Sequence, residues 1–307
     1  MKHMRRVTSV GLLLLFAAAF PARSAGAQID LSGEWSARLH EDRLHRRDPP
    51  GPDVGDYTGL PINDAARHKA ESWDASVLSL PERQAIPASA LYGNRGAANL
   101  RISKVVDDAT QQVVAFKLFR SPGGASATRM IWMDGRPHPP EYAAHTFQGF
   151  STGRWEGNML TVRTTHVKMG FVQRNGVPHS DQATMTEHFI RHGDTLTVVS
   201  VVDDPAYLEE PLMRSSNWAL DLTQELQPFP FEIVEEIAGR PEGYVPHYLP
   251  GANTQLTEFA EREGLPFEAT RGGKATTYPE YQVRLKELMA TTSRRGTQPQ
   301  PSTPRQP

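Results

Sequence analysis

Residues 147–166, FQGFSTGRWEGNMLTVRTTH, and residues 183–202, ATMTEHFIRHGDTLTVVSVV, decide the fold. In each, two runs rich in β-branched and aromatic residues flank a short polar turn, Glu156-Gly157-Asn158 in the first and His192-Gly193-Asp194 in the second. Glycine stands where a tight hairpin needs positive φ, so the spacing predicts paired strands at 147–155 with 159–166 and at 183–191 with 195–202. The same texture continues outward. Strands are expected at 100–106, 113–119 and 128–133 upstream and at 213–220 downstream, separated by turns such as Asp107-Asp108-Ala109-Thr110, Pro122-Gly123-Gly124 and Asp134-Gly135. Residues 29–39, IDLSGEWSARL, open the series, with Leu31, Gly33, Trp35 and Ala37 alternating against Ser32, Glu34, Ser36 and Arg38, the period of two that marks a strand. Eight or nine short strands in chain order, with no helix of crossover length between them, predict an all-β, antiparallel up-and-down barrel. A barrel lined by a few ionisable groups is a pocket.

Two segments break the strand texture. Residues 40–99 carry Pro49, Pro50, Pro52, Pro61, Pro81 and Pro87 and one helical stretch, 63–72, for which Asn63 is the N-cap. A connection this long is expected to be an ordered cover over the barrel mouth. After residue 222 the chain is irregular and proline-rich, followed by helices at 254–263, capped by Asn253 and closed by Gly264, and at 277–290, where Thr277 and Glu280 have capping-box spacing. The expected organisation is a leader at 1–27, a barrel domain at 28–222 that includes the insertion at about 40–99, an extension at 223–290 packing on the barrel, and a disordered tail at 291–307 that has almost nothing apolar to bury.

The leader decides the compartment. Lys2, Arg5 and Arg6 precede an apolar run at 10–20, and Ala25-Gly26-Ala27 offers the small residues a signal peptidase needs. Pro21, Arg23 and Ser24 stop that run short of the roughly twenty apolar residues that span a bilayer. A periplasmic or secreted protein is therefore expected, without stable membrane insertion after cleavage. Cleavage removes four basic residues and no acidic ones, so 33 Lys+Arg fall to 29 against 35 Asp+Glu and the formal charge moves from −2 to near −6. That balance argues against a nucleic-acid or anionic-membrane partner. The chain has no cysteine, which excludes disulfides, thiolate chemistry and Cys-ligated metal. The oligomeric state is left open.

Gly33-Glu34-Trp35 on the first strand, followed by a meander, resembles the Gly-x-Trp opening of lipocalins and the wider calycin group. The resemblance implies a tryptophan plugging the closed barrel end beside a basic residue from a late strand. Ile131-Trp132-Met133-Asp134-Gly135-Arg136, residues 149–157 (GFSTGRWEG), Pro178-His179-Ser180-Asp181 and Val202-Asp203-Asp204-Pro205-Ala206-Tyr207 are similar to segments of a group of exported bacterial proteins of unassigned function. That likeness implies fold and export and carries no reaction. The covering insertion at 40–99 is far longer than a lipocalin's first loop.

Candidate chemistry gathers between His138 and Glu187. His179 and Asp181, two apart in a Gly/Pro-rich connection, have the types a general acid/base pair needs, against the alternative of a plain solvated turn. Glu187 lies between Met185 and Phe189 on one strand face; if that face points inward among apolar walls its pKa rises and it becomes a proton donor, and if outward it is a surface charge. The other face, Thr184, Thr186, His188 and Ile190, is equally mixed, so parity stays open. His166 follows Leu160, Val162 and Thr164 on the more apolar face and is the histidine expected to look inward, with a hydrogen-bonded core role as the alternative. His145, and beside it His138, are placed at the mouth. Trp132, Trp155, Arg136 and Tyr142 are the ligand-contact candidates: aromatic walls, and a guanidinium able to clamp a carboxylate unless Asp134 or Glu141 holds it. No metal site is expected, since His40 and His45 are five apart rather than the four that share a helix face, although ligands from distant strands leave no local signature. Gly272-Gly273-Lys274 lacks a P-loop's upstream glycine, and Gly149-Phe150-Ser151-Thr152-Gly153 leads into a strand rather than a helix, so neither phosphate nor hydrolase motifs stand. No cofactor is expected. The leading expectation is a barrel binding a small, largely apolar molecule. The alternative is a cofactor-independent lyase, isomerase or hydratase working through His and carboxylate groups.

Overall fold

Nine strands close into a barrel in the computed structural model, which describes residues 29–40, 51–84, 86–121, 127–227, 241 and 244–296. They are β1 (Gly33–Arg38), β2 (Asn99–Val106), β3 (Val113–Ser121), β4 (Ala127–Trp132), β5 (Phe150–Glu156), β6 (Met159–Thr165), β9 (Thr184–His192), β10 (Thr195–Asp203) and β11 (Leu212–Leu220). A separate two-stranded pair, β7 (Gly170–Phe171) and β8 (Pro178–His179), lies on the excursion from β6 to β9. Each barrel strand pairs with the next in chain order, and β11 returns to β1 through Trp35↔Leu220 and Ala37↔Trp218.

Strand parity constrains this ring. Antiparallel pairing alternates strand direction, so an odd number of strands closes with β1 and β11 antiparallel only if one joint is parallel. That joint is β4 with β5, where Ile131 pairs with Ser151 and Trp132 with Thr152. The expected barrel is present, but one of its pairs departs from the all-antiparallel pattern. The cause is the connection at 133–149, which carries Pro137, Pro139 and Pro140. Proline cannot donate to a strand ladder, so this segment runs back outside the barrel ladder, joined to its neighbour by the isolated bridge Thr146–Val167, and β5 then starts in the direction of β4.

Alternation along each strand sends one face inward. Trp35, Leu100, Leu160, Phe189 and Leu196 are fully buried there. The Trp35 indole donates to the Leu31 carbonyl at 3.0 Å, and the Arg191 guanidinium of β9 stands 5.2 Å from its ring centroid.

The segment from 51 to 98 lies over the barrel rather than in its wall. Its two helices are α1 (Asp64–Ala70), started by Asn63 accepting from the Ala66 N–H, and the single turn α2 (Ala90–Gly93), started by Ser89. Tyr57, Leu60, Ile62, Ala66, Ala70, Ala90 and Leu91 share one apolar cluster with Val167, Val172, Val177, Met185 and Val202. The C-terminal extension, α3 (Glu258–Glu263), α4 (Phe267–Thr270) and α5 (Tyr281–Gly296), is tied mainly to this cover: Tyr57 donates to Thr270 O, Gly59 to Gly273 O, and Lys274 reaches Glu209 and Glu210. Asn253 does not cap a helix; its amide fastens the carbonyls of Glu71 and Trp73, and α3 begins later, ending at Gly264 in the left-handed region as expected. Thr277 donates to Lys274 O in a 3₁₀ turn, so the last helix starts at Tyr281 and runs on through residues expected in the tail. The expected leader, Glu41–His45, the turn at Pro122-Gly123-Gly124 and residues 297–307 fall outside the described residues.

Two substitutions test the packing by chemical denaturation. Trp35→Ala is expected to cost about 3–5 kcal/mol, because it empties a fully buried aromatic site. Gly149, at φ 64°, leads into β5 with the Thr165 carbonyl 2.5 Å from where a Cβ would stand. Gly149→Ala should therefore destabilise by at least about 1 kcal/mol, and a neutral result would contradict this description of the chain's entry into β5 beside the end of β6.

Candidate functional site

Register settles the parity of Glu187. Pairing of Val162 and Ser200 with Glu187 places Met185, Glu187 and Phe189 on the inner face of β9, and all three are buried. Neighbouring strands supply its partners. Arg129, inward on β4 with Ile131, donates from Nη2 to the Glu187 carboxylate and to Thr164 Oγ1 at 2.6 Å, and from Nε to Ser151 Oγ at 2.9 Å. Arg120, at the end of the inward face Phe116 and Leu118 of β3, brings Nη2 to 3.9 Å from Glu187 Oε1. Asn94, just past α2, donates to Glu187 Oε1 at 3.0 Å. One carboxylate is thus held by two guanidinium groups and an amide, with two hydroxyls completing the layer.

The electrostatics follow from that geometry. Burial alone pushes the Glu187 carboxyl up, but Arg129, Arg120 and the Asn94 hydrogen bond together outweigh it and hold the group below its ordinary value. The expected rise is therefore corrected: this wall carries cations, and Glu187 is an ion-pair acceptor at neutral pH. Burial drives the Arg120 guanidinium down to about 10, with Glu187 opposing and Arg129 and Arg95 reinforcing the drop, so it stays protonated.

A second buried group stands under the cover. His179 donates from Nδ1 to the Ser180 carbonyl at 3.1 Å, since a carbonyl can only accept. Its Nε2 therefore offers a lone pair to the Ser89 hydroxyl at 2.9 Å. Ser89 in turn accepts from the Tyr92 N–H as the cap of α2. Burial lowers the His179 pKa, while the Ser180 carbonyl and Asp204 pull it upward less strongly. The carboxylate that organises this corner is Asp204, which accepts from both the N–H and the hydroxyl of Ser180 at 2.7 Å. Asp181 is exposed.

His138, His145 and His166 fasten the proline-rich connection to the barrel exterior. His166 leaves the strand alternation at φ 57°, so its ring does not continue the inward face of Leu160, Val162 and Thr164. Its Nε2 donates to Pro140 O at 3.0 Å, which leaves Nδ1 to accept from the Thr165 hydroxyl at 2.7 Å. Thr165 then accepts from His138 Nδ1 at 2.8 Å, and His138 Nε2 accepts from Thr152 at 2.8 Å. His145 donates to Val167 O at 3.1 Å, 5.1 Å from the His166 ring. Burial, then the nearby Arg163 guanidinium, lowers the His138 pKa.

Of the expected ligand contacts, only Trp155 shares the inward face of β5 with Ser151; it meets Phe116 edge-on at 6.5 Å. Trp132 faces the other way, under the Arg136 guanidinium at 3.6 Å, and Arg136 is held by Asp134. Tyr142 is 90% exposed. The structure thus gathers Glu187, Arg120, Arg129, Asn94, Ser151 and Thr164, and leaves Asp181, His145, His166, Trp132, Arg136 and Tyr142 elsewhere. Sequence reasoning missed both arginines. Their signal was an arginine sharing parity with an apolar face: Phe116, Leu118 and Arg120, and Arg129 with Ile131. Among the described residues, no three His, Cys, Asp or Glu side chains stand together to hold a metal ion.

Arg129→Met should cost about 3–5 kcal/mol in denaturant unfolding, because it strips a buried carboxylate of its nearest cation, whereas Arg129→Met with Glu187→Met should recover most of that loss. An additive double variant would contradict the pairing. His138 and His179 both have lowered folded-state values, so acid favours the unfolded chain. Stability should fall as pH drops below the ordinary histidine value of 6.5, and His179→Gln should flatten that slope in pH-dependent melting. Searches of protein-family models, curated proteins and solved structures found no match to this chain.

Proposed function

We propose that this chain is an exported, calycin-like binding module whose barrel takes a small, largely apolar molecule with one polar end into its interior. The observation that carries the reading is the stratified inner face. Buried Leu160, Phe189 and Leu196 form its apolar part, and the Arg129–Glu187 layer with Ser151, Thr164 and Asn94 supplies a compact polar end. A core built only for stability gains little from two arginines and a carboxylate at its centre. An apolar chamber with a few convergent polar groups is the usual build of a small-molecule site. Arg191 over Trp35 at the barrel wall supports the calycin likeness. Export rests on the leader pattern at 1–27.

A second reading is a cofactor-independent lyase, isomerase or hydratase. The observation that favours it is His179, whose Nε2 lone pair is aimed at the Ser89 hydroxyl 2.9 Å away, as a general base requires.

The neutral fluorophore phenylnaphthylamine tests the first reading. The full chain should give a saturable, blue-shifted enhancement with one site per chain, lost on unfolding in urea. A linear, non-saturating signal would overturn the binding-module reading. On the second reading, His179→Gln abolishes turnover of any substrate found while leaving probe affinity within about twofold; equal loss of both marks His179 as a structural contact.

A further inference from the structure

The polar layer inside the barrel is unbalanced in charge. Arg129 and Arg120 face one carboxylate, Glu187, and Arg95, stacked 3.9 Å over the Tyr92 ring, adds its field to Arg120 from the cover. The donors are unbalanced too. Among the described residues, Arg129 Nη1 and Arg120 Nη2 are buried with no hydrogen-bond partner. The Arg129 side chain is only 5% exposed and that of Arg120 14%. A guanidinium desolvated with N–H groups unmatched is costly, and each such nitrogen calls for an acceptor. Glu187 cannot be that acceptor for both. Its Oε2 is taken by Arg129 Nη2, and its Oε1 by Asn94, with Arg120 at ion-pair rather than hydrogen-bond distance.

We infer that the interior site takes an organic monoanion, an apolar body bearing one carboxylate or sulfonate group that accepts from Arg120 Nη2 and Arg129 Nη1. One negative charge balances the two arginines against Glu187. Two adjacent anionic oxygens, both of a carboxylate's or two of a sulfonate's three, suit donors arriving from two guanidinium planes. Trp155 and Phe116, on the inward faces of β5 and β3, supply apolar walls for the body of such a molecule. The inference rests on the binding-module reading and adds the charge of the ligand. It also gives Glu187 a role, which is to orient Arg129 and to limit the affinity for the anion.

A matched pair of probes separates the two claims: anilinonaphthalene sulfonate carries one negative charge, and phenylnaphthylamine is the same skeleton without it. The full chain should bind the sulfonate about tenfold more tightly than the neutral probe. Arg120→Met, which leaves the Arg129–Glu187 pair in place, should erase that preference by lowering sulfonate affinity about tenfold more than phenylnaphthylamine affinity. Arg129→Met should act in the same direction, with thermal melting confirming that each variant folds. Glu187→Gln should strengthen sulfonate binding about fivefold by releasing Arg129, a gain that a purely structural Glu187 would not give. Equal affinities for both probes in the parent chain, or an equal shift of both in Arg120→Met, would overturn the anion inference while the binding reading stands. Failure of both probes to bind would overturn the binding reading and the inference with it.

Discussion

The contact between Arg129 and Glu187 at the centre of the barrel constrains more of this molecule than any other. Its two ends come from β4 and β9, and the hydroxyls that complete it come from β5 and β6. Arg120 joins from β3 and Asn94 from the cover. Five strands and the roof are therefore held to one small polar volume in a low-dielectric interior, where a half-satisfied charge costs several kcal/mol. A register slip of β3, β4 or β9 would turn a charged side chain outward and leave its partner buried, and a slip of β5 or β6 would take a hydroxyl from the layer. The layer fixes register as well as joining the strands, and its two unmatched guanidinium N–H groups are the feature on which anion binding is proposed.

Closure depends on a second constraint, strand parity. Nine strands with an antiparallel β1–β11 seam need a parallel joint, and the chain provides it with a proline-rich return between β4 and β5. That return lies outside the barrel ladder, and histidines hold it together with backbone bonds around the isolated Thr146–Val167 bridge. His138, His145 and His166 bond to threonine hydroxyls and backbone carbonyls on the outer surface, through both ring nitrogens of His138 and His166 and through Nδ1 of His145. A cluster of imidazoles that looks catalytic in the sequence is, in space, a clasp on the barrel exterior.

The strands were legible in the sequence because their signal is local: period-two alternation and glycine turns at Gly157 and Gly193 fix hairpins without reference to anything distant. The parallel joint was not legible, since it follows from the count of strands that must close. The parity of Glu187 was undecidable from β9, whose two faces are nearly equal in polarity; pairing with Val162 and Ser200 decided it. His166 was misplaced because alternation was extended one residue past the strand, where φ turns positive. Arg120 and Arg129 were passed over because an arginine on a half-buried strand reads as surface. Their partner lies 58 residues beyond Arg129 in the chain, a separation that no local pattern reports.

The central claim is that the barrel interior holds a receptive pair of arginine N–H groups. Anomalous X-ray diffraction from crystals grown in bromide tests it most directly, since bromide is a compact monoanion that can be located without ambiguity. A bromide within hydrogen-bond distance of both Arg120 Nη2 and Arg129 Nη1 is the predicted result. An interior without anomalous signal, with both nitrogens bonded to protein acceptors, would contradict it.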